Sequence, residues 1–377
     1  MMPFNQPHCG KKEKKEILKC LKSKSLKGNG IINQQITSFF QNQLKSPKVL
    51  LTPSATAALE MMALLLEIQE GDEVIAPSFT FVSSVNAFVL RGARIKFIDI
   101  NPRTMNLNEK LLENAITKKT KAIIPVHYAG VGCEMDSILE IAKHYNIAVC
   151  EDAAQGVHAF YKNRPLGSLG EFGAFSFHET KNYTSGGEGG ALIINKKKFI
   201  QKAEILQEKG TNRSLFLQGM VDKYSWVDIG SSYLLSEIQS AFLMAQIKQF
   251  DKINRKRLKL WKDYFQAFIE LQKKEKIELP EIPDYCQHNG HIFYFKLKNK
   301  EERIKFLEFF KKRNIIASFH YIPLHSSQLG RKYGKFIGKD QYTTKDSERL
   351  VRLPIYYDLK KKEQEKIITS VYDFWRG

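Results

Sequence analysis

Short apolar runs alternate with amphipathic stretches through the middle of the chain. Val49 to Leu51, Glu73 to Ala76, Arg94 to Ile98, Ala122 to Val126, Ile147 to Cys150, Ala174 to Phe177 and Ala191 to Ile194 are brief and flanked by turn or polar residues. Between most of them lie Leu59 to Leu66, Asn108 to Ile116 and Met135 to Tyr145, with apolar positions at helical spacing. This alternation predicts an α/β fold, a mostly parallel sheet of about seven strands sandwiched by helices.

The pattern changes after Gly230. A long helical stretch from Leu234 to Leu271, with Arg255, Lys256 and Arg257 on its polar face, runs up to Pro280 and Pro283. His291 to Lys298 then reads as a strand, Glu301 to Lys312 as a helix, Ile315 to Tyr321 as a strand and Lys360 to Trp375 as a closing helix. We therefore expect an N-terminal segment over residues 1–45, a large α/β domain over 46–245 and a smaller α+β domain over 246–377. No internal repeat or low-complexity tract interrupts this order.

Composition narrows the function classes. With 377 residues and 43% hydrophobic content, the chain can bury a large core. Lysine and arginine number 59 against 40 acids, a formal charge of +19. The lysines are scattered, however, and no basic stripe with interleaved aromatics marks a nucleic-acid surface. The positive field would instead favour an anionic small substrate. The five cysteines include no Cys-x-x-Cys pair, so we expect free thiols and no metal site. Neither a signal peptide nor a run of eighteen apolar residues occurs. The expected setting is cytoplasmic, with no nucleic-acid or membrane partner.

Four segments carry candidate chemistry. Thr52-Pro53-Ser54-Ala55-Thr56-Ala57-Ala58 leads from a strand straight into a helix, and its small residues and hydroxyls suit either an ordinary N-cap or an anion. Pro77-Ser78-Phe79-Thr80-Phe81 ends a strand with aromatics, of which Phe81 is placed to stack on a planar ring, although an isolated Phe is more often core. Cys150-Glu151-Asp152-Ala153-Ala154-Gln155 sets Asp152 at a strand's carboxyl end, where α/β sheets hold ligands; a helix N-cap would use the same acid. Lys181 follows an aromatic strand containing Ser176 and precedes Gly186, Gly187, Gly189 and Gly190. An amine for an aldehyde and an acid for a ring nitrogen are what pyridoxal phosphate requires.

The strings Thr-Pro-Ser-x-Thr-Ala, Pro-Ser-Phe-Thr-Phe, Glu-Asp-Ala-Ala-Gln and Ser-Phe-His-Glu-Thr-Lys-Asn, in this order, resemble the sugar-nucleotide aminotransferases of the fold type I pyridoxal phosphate superfamily. Longer strings, among them Lys209-Gly210-Thr211-Asn212-Arg213-Ser214 and Phe319-His320-Tyr321-Ile322-Pro323-Leu324-His325, are similar to transaminases forming dTDP-4-amino-4,6-dideoxygalactose for bacterial surface glycans such as lipopolysaccharide or enterobacterial common antigen. The resemblance implies that Lys181 binds the cofactor aldehyde and Asp152 the pyridine nitrogen. It gives Gln155 the ring oxygen, Phe81 the ring face, and Ala55, Thr56 and Ser176 the phosphate. It also implies a homodimer or larger assembly with its pocket between subunits. Ser232 stands where many relatives place an asparagine that reaches the neighbouring subunit's phosphate. L-glutamate would be the donor, and a nucleotide-linked 4-keto-6-deoxyhexose the acceptor. Arg213, His320, Tyr321 and His325 are candidate substrate contacts, with simple packing open for His320. Relatives that dehydrate sugars carry histidine at the lysine position, so Lys181 argues for transamination.

Overall fold

In the computed structural model, which describes residues 1–376, the centre is an eight-stranded sheet. Its strands lie in the spatial order Lys48–Thr52, Gly190–Ile194, Phe172–Ser176, Ala148–Asp152, Thr120–Ile123, Glu73–Pro77, Arg94–Ile98 and Gly334–Phe336. Gly190–Ile194 runs antiparallel to both of its neighbours, and every other pairing is parallel. All seven expected strands are present. The eighth, Gly334–Phe336, comes from the far end of the sequence; it is short and holds one apolar side chain, so periodicity does not mark it.

The strands read as continuous apolar runs because both faces of the sheet are covered. Side chains alternate with a period of two, so Val49, Leu51, Ile75, Ile123, Val149 and Ile193 enter one core. Leu50, Val74, Ala76, Ala122, Cys150 and Leu192 enter the other. Helix Ile31–Leu44 covers the first face, and Ala55–Leu65 the second. Glu237, itself buried, accepts the N–H groups of Ile32 and Asn33 at 2.9 Å each, satisfying the start of helix Ile31–Leu44.

The expected long helix is two, Glu237–Ile247 and Phe250–Lys273, separated at Lys248 and Gln249. Leu260, Trp261, Tyr264, Phe268 and Leu271 make a third core with the antiparallel pair Phe293–Lys296 and Leu350–Leu353 and the closing helix Lys361–Asp373. Arg257 departs from its expected polar face. It is buried, and its guanidinium donates to the carbonyls of His291 (2.8 Å), Ile355 (3.1 Å) and Gly290 (3.3 Å). Residues 315–321 form no strand; Ile315 bridges Met2, and Ser318 bridges Arg352. Among the described residues no helix is long and apolar enough to cross a membrane.

Candidate active site

The carboxyl ends of the parallel strands open on a cavity of about 560 Å³. The sheet edges and loops bring Ala55, Thr56, Phe81, Asp152, Gln155, Ser176, Lys181, His320 and Tyr321 onto its wall. Arg213, Ser232 and His325 do not line it. Arg213 pairs with Glu208 at 3.5 Å beside a separate cleft, and Ser232 is exposed in a bridge to Glu208. His325 is engaged by the Ser78 hydroxyl at 2.7 Å and Asp340 at 3.2 Å.

At one end of the cavity, Ser54 caps helix Ala55–Leu65, its Oγ accepting the Ala57 N–H at 3.1 Å. The amides of Ala55 and Thr56 have no intrahelical acceptor at this position. Thr56 Oγ1 meets Ser83 Oγ at 2.8 Å, and Ser176 lies on the same wall. Gly190 passes so close that an added Cβ would fall 2.4 Å from the Ser54 carbonyl carbon and 2.5 Å from the Ala55 nitrogen. Small residues, three hydroxyls and a helix N-terminus form a cradle for a phosphate.

Asp152 ends its strand and is held from two sides. Its Oδ2 accepts from Ser84 Oγ at 2.6 Å, and its Oδ1 from the Ala154 N–H at 3.1 Å. Ser84 in turn shares a 2.6 Å bond with Thr80. Behind it Glu151, fully buried, accepts the N–H groups of Gly167, Leu169 and Gly170 at 2.8, 2.6 and 2.8 Å. His127 Nε2 adds a fourth contact at 2.9 Å. The Cys133 N–H donates to His127 Nδ1 at 3.2 Å, so the imidazole proton sits on Nε2 and points at Glu151. The His127 N–H also donates to the Asp152 carbonyl at 3.1 Å. The strand end is therefore fixed from below while its carboxylate faces the cavity.

Gln155 accepts the Ala129 N–H at 2.7 Å and donates to Tyr321 Oη at 3.2 Å. Ala129 has φ +58°, a left-handed conformation at the turn that supplies this N–H. Tyr321 stacks on His320, rings 3.9 Å apart and 10° from parallel. Phe81 lies 6.4 Å from the Tyr321 ring and is 57% exposed, leaving a free aromatic face at the cavity.

Lys181 reaches the cavity from a loop anchored at Tyr183, whose hydroxyl donates to the Phe250 carbonyl at 3.0 Å. The glycines that follow adopt φ +83° at Gly186 and +139° at Gly187, where a side chain would be strained. Burial pushes the Lys181 amine down to about 8, the nearby Asp152 charge opposing the shift and Arg352 adding to it. Asn182, next in sequence, binds the Asn289 carbonyl at 3.0 Å and His291 Nδ1 at 2.9 Å. His291 is buried and held well below its ordinary range by that burial and by the Lys181 charge.

Phe4, Asn5, His291 and Arg352 also line the cavity, and Ser84 orients Asp152; none of the five stood out in the sequence. They lie far apart along the chain and converge only through the fold. Among the described residues no group of three or more histidines, cysteines and acids is placed to hold a metal. The donors present instead suit pyridoxal phosphate: hydroxyls and helix amides for phosphate, a carboxylate for the ring nitrogen, and an amine for the aldehyde.

Comparison with known proteins agrees with this chemistry. The uncharacterized protein MJ1066 of Methanocaldococcus jannaschii is 34% identical, the match spanning 98% of this chain and 96% of that protein. A putative sugar aminotransferase, Spr1654 from Streptococcus pneumoniae, solved in its PMP form, superposes with a TM-score of 0.91 at 25% identity, covering 100% of this chain and 99% of its own. Helicobacter pylori PseC, an aminotransferase involved in pseudoaminic acid biosynthesis, gives 0.90 at 25% identity over 100% and 99%. The family model DegT/DnrJ/EryC1/StrS aminotransferase matches residues 7–372, so the chain belongs to that aminotransferase family.

Proposed function

We propose that the protein moves an amino group from L-glutamate to C4 of dTDP-4-dehydro-6-deoxy-D-glucose, giving dTDP-4-amino-4,6-dideoxy-D-galactose for surface-glycan synthesis. The observation carrying this reading is the placement of Lys181 and Asp152 on one cavity beside a phosphate cradle. Bound pyridoxal phosphate supplies an electron sink for the substrate carbanion, and a carboxylate at Asp152 keeps the pyridine nitrogen protonated. Ala55, Thr56 and Ser176 would hold its phosphate, Gln155 its ring oxygen and Phe81 its ring.

Lys181 has two tasks. Its Nζ is the amine that would hold the aldehyde of bound pyridoxal phosphate. When free, the same amine would act as the group that accepts and returns a proton, and a pKa of about 8 suits both directions. His320 and Tyr321 would meet the sugar. Ser232, exposed and away from the cavity of its own chain, fits a role in a neighbouring copy, so a homodimer forms part of the proposal.

A second reading is a keto sugar carried on another nucleotide, such as UDP; PseC, an aminotransferase involved in pseudoaminic acid biosynthesis, shares the fold at 25% identity, so the fold alone does not choose the sugar nucleotide. One experiment addresses both. The protein, loaded with pyridoxal phosphate, is incubated with glutamate and a panel of dTDP- and UDP-linked 4-keto sugars, and the aminosugar is identified by NMR. Lys181→Ala should lose both the visible absorbance of bound cofactor and all measurable turnover. Transamination at wild-type rate by that variant would sink the mechanism.

A further inference from the structure

Lys181 and Asp152 stand on different segments of the cavity wall, and joint action on one ligand requires their spacing to be fixed. Among the described residues no hydrogen bond runs directly from residues 153–157, the segment behind Asp152, to Lys181 or Asn182. The link comes from the C-terminal part of the chain, through Asn289, Gly290 and His291. Buried Asn289 donates from Nδ2 to the carbonyls of Gln155 and Val157 at 2.8 Å each, and its Oδ1 accepts the His291 N–H at 3.1 Å. Gly130 passes so close that an added Cβ would collide with Asn289 Oδ1. Gly290, at φ +59°, turns the chain, and Arg257 holds its carbonyl and that of His291 from behind.

His291 carries the link on to the lysine loop. Its Nδ1 lies 2.9 Å from Asn182 Oδ1, while Asn182 Nδ2 donates to the Asn289 carbonyl at 3.0 Å. A carbonyl only accepts, so the amide nitrogen of Asn182 faces Asn289 and its oxygen faces the ring. The His291 proton therefore sits on Nδ1 and is donated to Asn182. Burial and the charges of Lys181 and Arg257 keep the ring neutral. Asn182, Asn289 and His291 are all buried, where water does not readily replace a lost partner. One peptide bond joins Asn182 to Lys181, and the His291 ring lines the same cavity. We propose that His291 is a positioning residue for Lys181, tied through Asn182 to the lysine loop and through Asn289 to the segment behind Asp152. This rests on the aminotransferase reading above, and gives the C-terminal part of the chain a share in placing the amine that moves the proton.

The test follows single turnovers by absorbance, glutamate with the pyridoxal phosphate form and 2-oxoglutarate with the pyridoxamine phosphate form, so it does not depend on the identity of the sugar. Visible circular dichroism per bound cofactor reports how rigidly the lysine loop holds it. His291→Leu removes the Nδ1–H, whereas His291→Asn returns an N–H donor to nearly the same place. His291→Leu should lower the limiting rate in both directions by about 10–100-fold, the scale of a displacement of about 1 Å at a reacting group. Half-saturating glutamate and 2-oxoglutarate should stay within about threefold, and the dichroism should fall. His291→Asn should recover most of the rate and the dichroism. Asn182→Ala breaks the same bond from the other side, so it should repeat these losses and reads the link even if His291→Leu does not fold. The double variant should lose no more than the worse single one. Unchanged limiting rates, or losses that multiply in the double variant, would overturn the assignment. Weaker half-saturation at an unchanged limiting rate would give His291 to the substrate instead. A lower melting temperature with rate and dichroism per bound cofactor intact would reduce it to a structural role. A wild-type protein that neither takes up pyridoxal phosphate nor consumes glutamate would defeat the aminotransferase reading itself.

Discussion

At pH 7 a lysine with its ordinary pKa of about 10.4 is neutral in only about 0.04% of molecules, whereas one at about 8 is neutral in about 10%. The difference is large enough to set the rate at which the chain captures an aldehyde. Uptake of pyridoxal phosphate by the cofactor-free protein, followed by absorbance, should therefore rise with pH and level off above a midpoint near 8. Removing a cation that depresses the amine must raise that midpoint, so Arg352→Met shifts it up. Removing an anion that supports the charged form must lower it, so Asp152→Asn shifts it down. Opposite or absent shifts would show that these charges do not act on Lys181. Lys181 and Asp152 were legible in the sequence because each ends or follows a strand and each has a residue type that the chemistry restricts. Arg352 was not, since one arginine in a strand next to two apolar residues reads as a solvent-facing position. His325 shows the reverse problem: a histidine in a promising string is spent on Ser78 and Asp340.

The strands were legible for a reason of packing. Most are apolar along their buried positions because both faces are covered, with Arg94, Lys96 and Lys121 as exceptions, and turn residues bound them. Where backbone pairing is brief, the pattern is silent. Gly334–Phe336 has one apolar side chain, and residues 315–321 pair only through isolated bridges to Met2 and Arg352. The break between helices Glu237–Ile247 and Phe250–Lys273 also left no mark, because the apolar periodicity continues through it. The Ala148–Asp152 strand carries its own anchor in Glu151, which collects three backbone N–H groups and His127. Glu151→Ala would strand those donors in the interior, at a cost of about 3 kcal/mol or more. The melting temperature should fall accordingly, and Asp152 should hold the cofactor less tightly. A variant as stable as wild type would mean that water replaces the carboxylate.

Across the whole molecule, the C-terminal part is tied back to the large sheet at separate places. Gly334–Phe336 extends the sheet beside Arg94–Ile98, and Cys286–Gln287 pairs with Phe160–Tyr161. Asn289 adds polar links to the large domain, donating to the carbonyls of Gln155 and Val157 at 2.8 Å each. We expect one cooperative thermal transition, with far-ultraviolet dichroism and loss of cofactor absorbance coinciding. Two resolved transitions would mean that the parts unfold independently. The sheet's outermost strand also has a consequence during synthesis. Residue 98 leaves the ribosome long before residue 334, and at about 5–20 residues per second the delay is on the order of 12–50 s. For that interval the nascent chain carries an unpaired strand edge, Ile95, Phe97 and Ile98 alternating with Arg94 and Lys96, that is open to pairing with other chains.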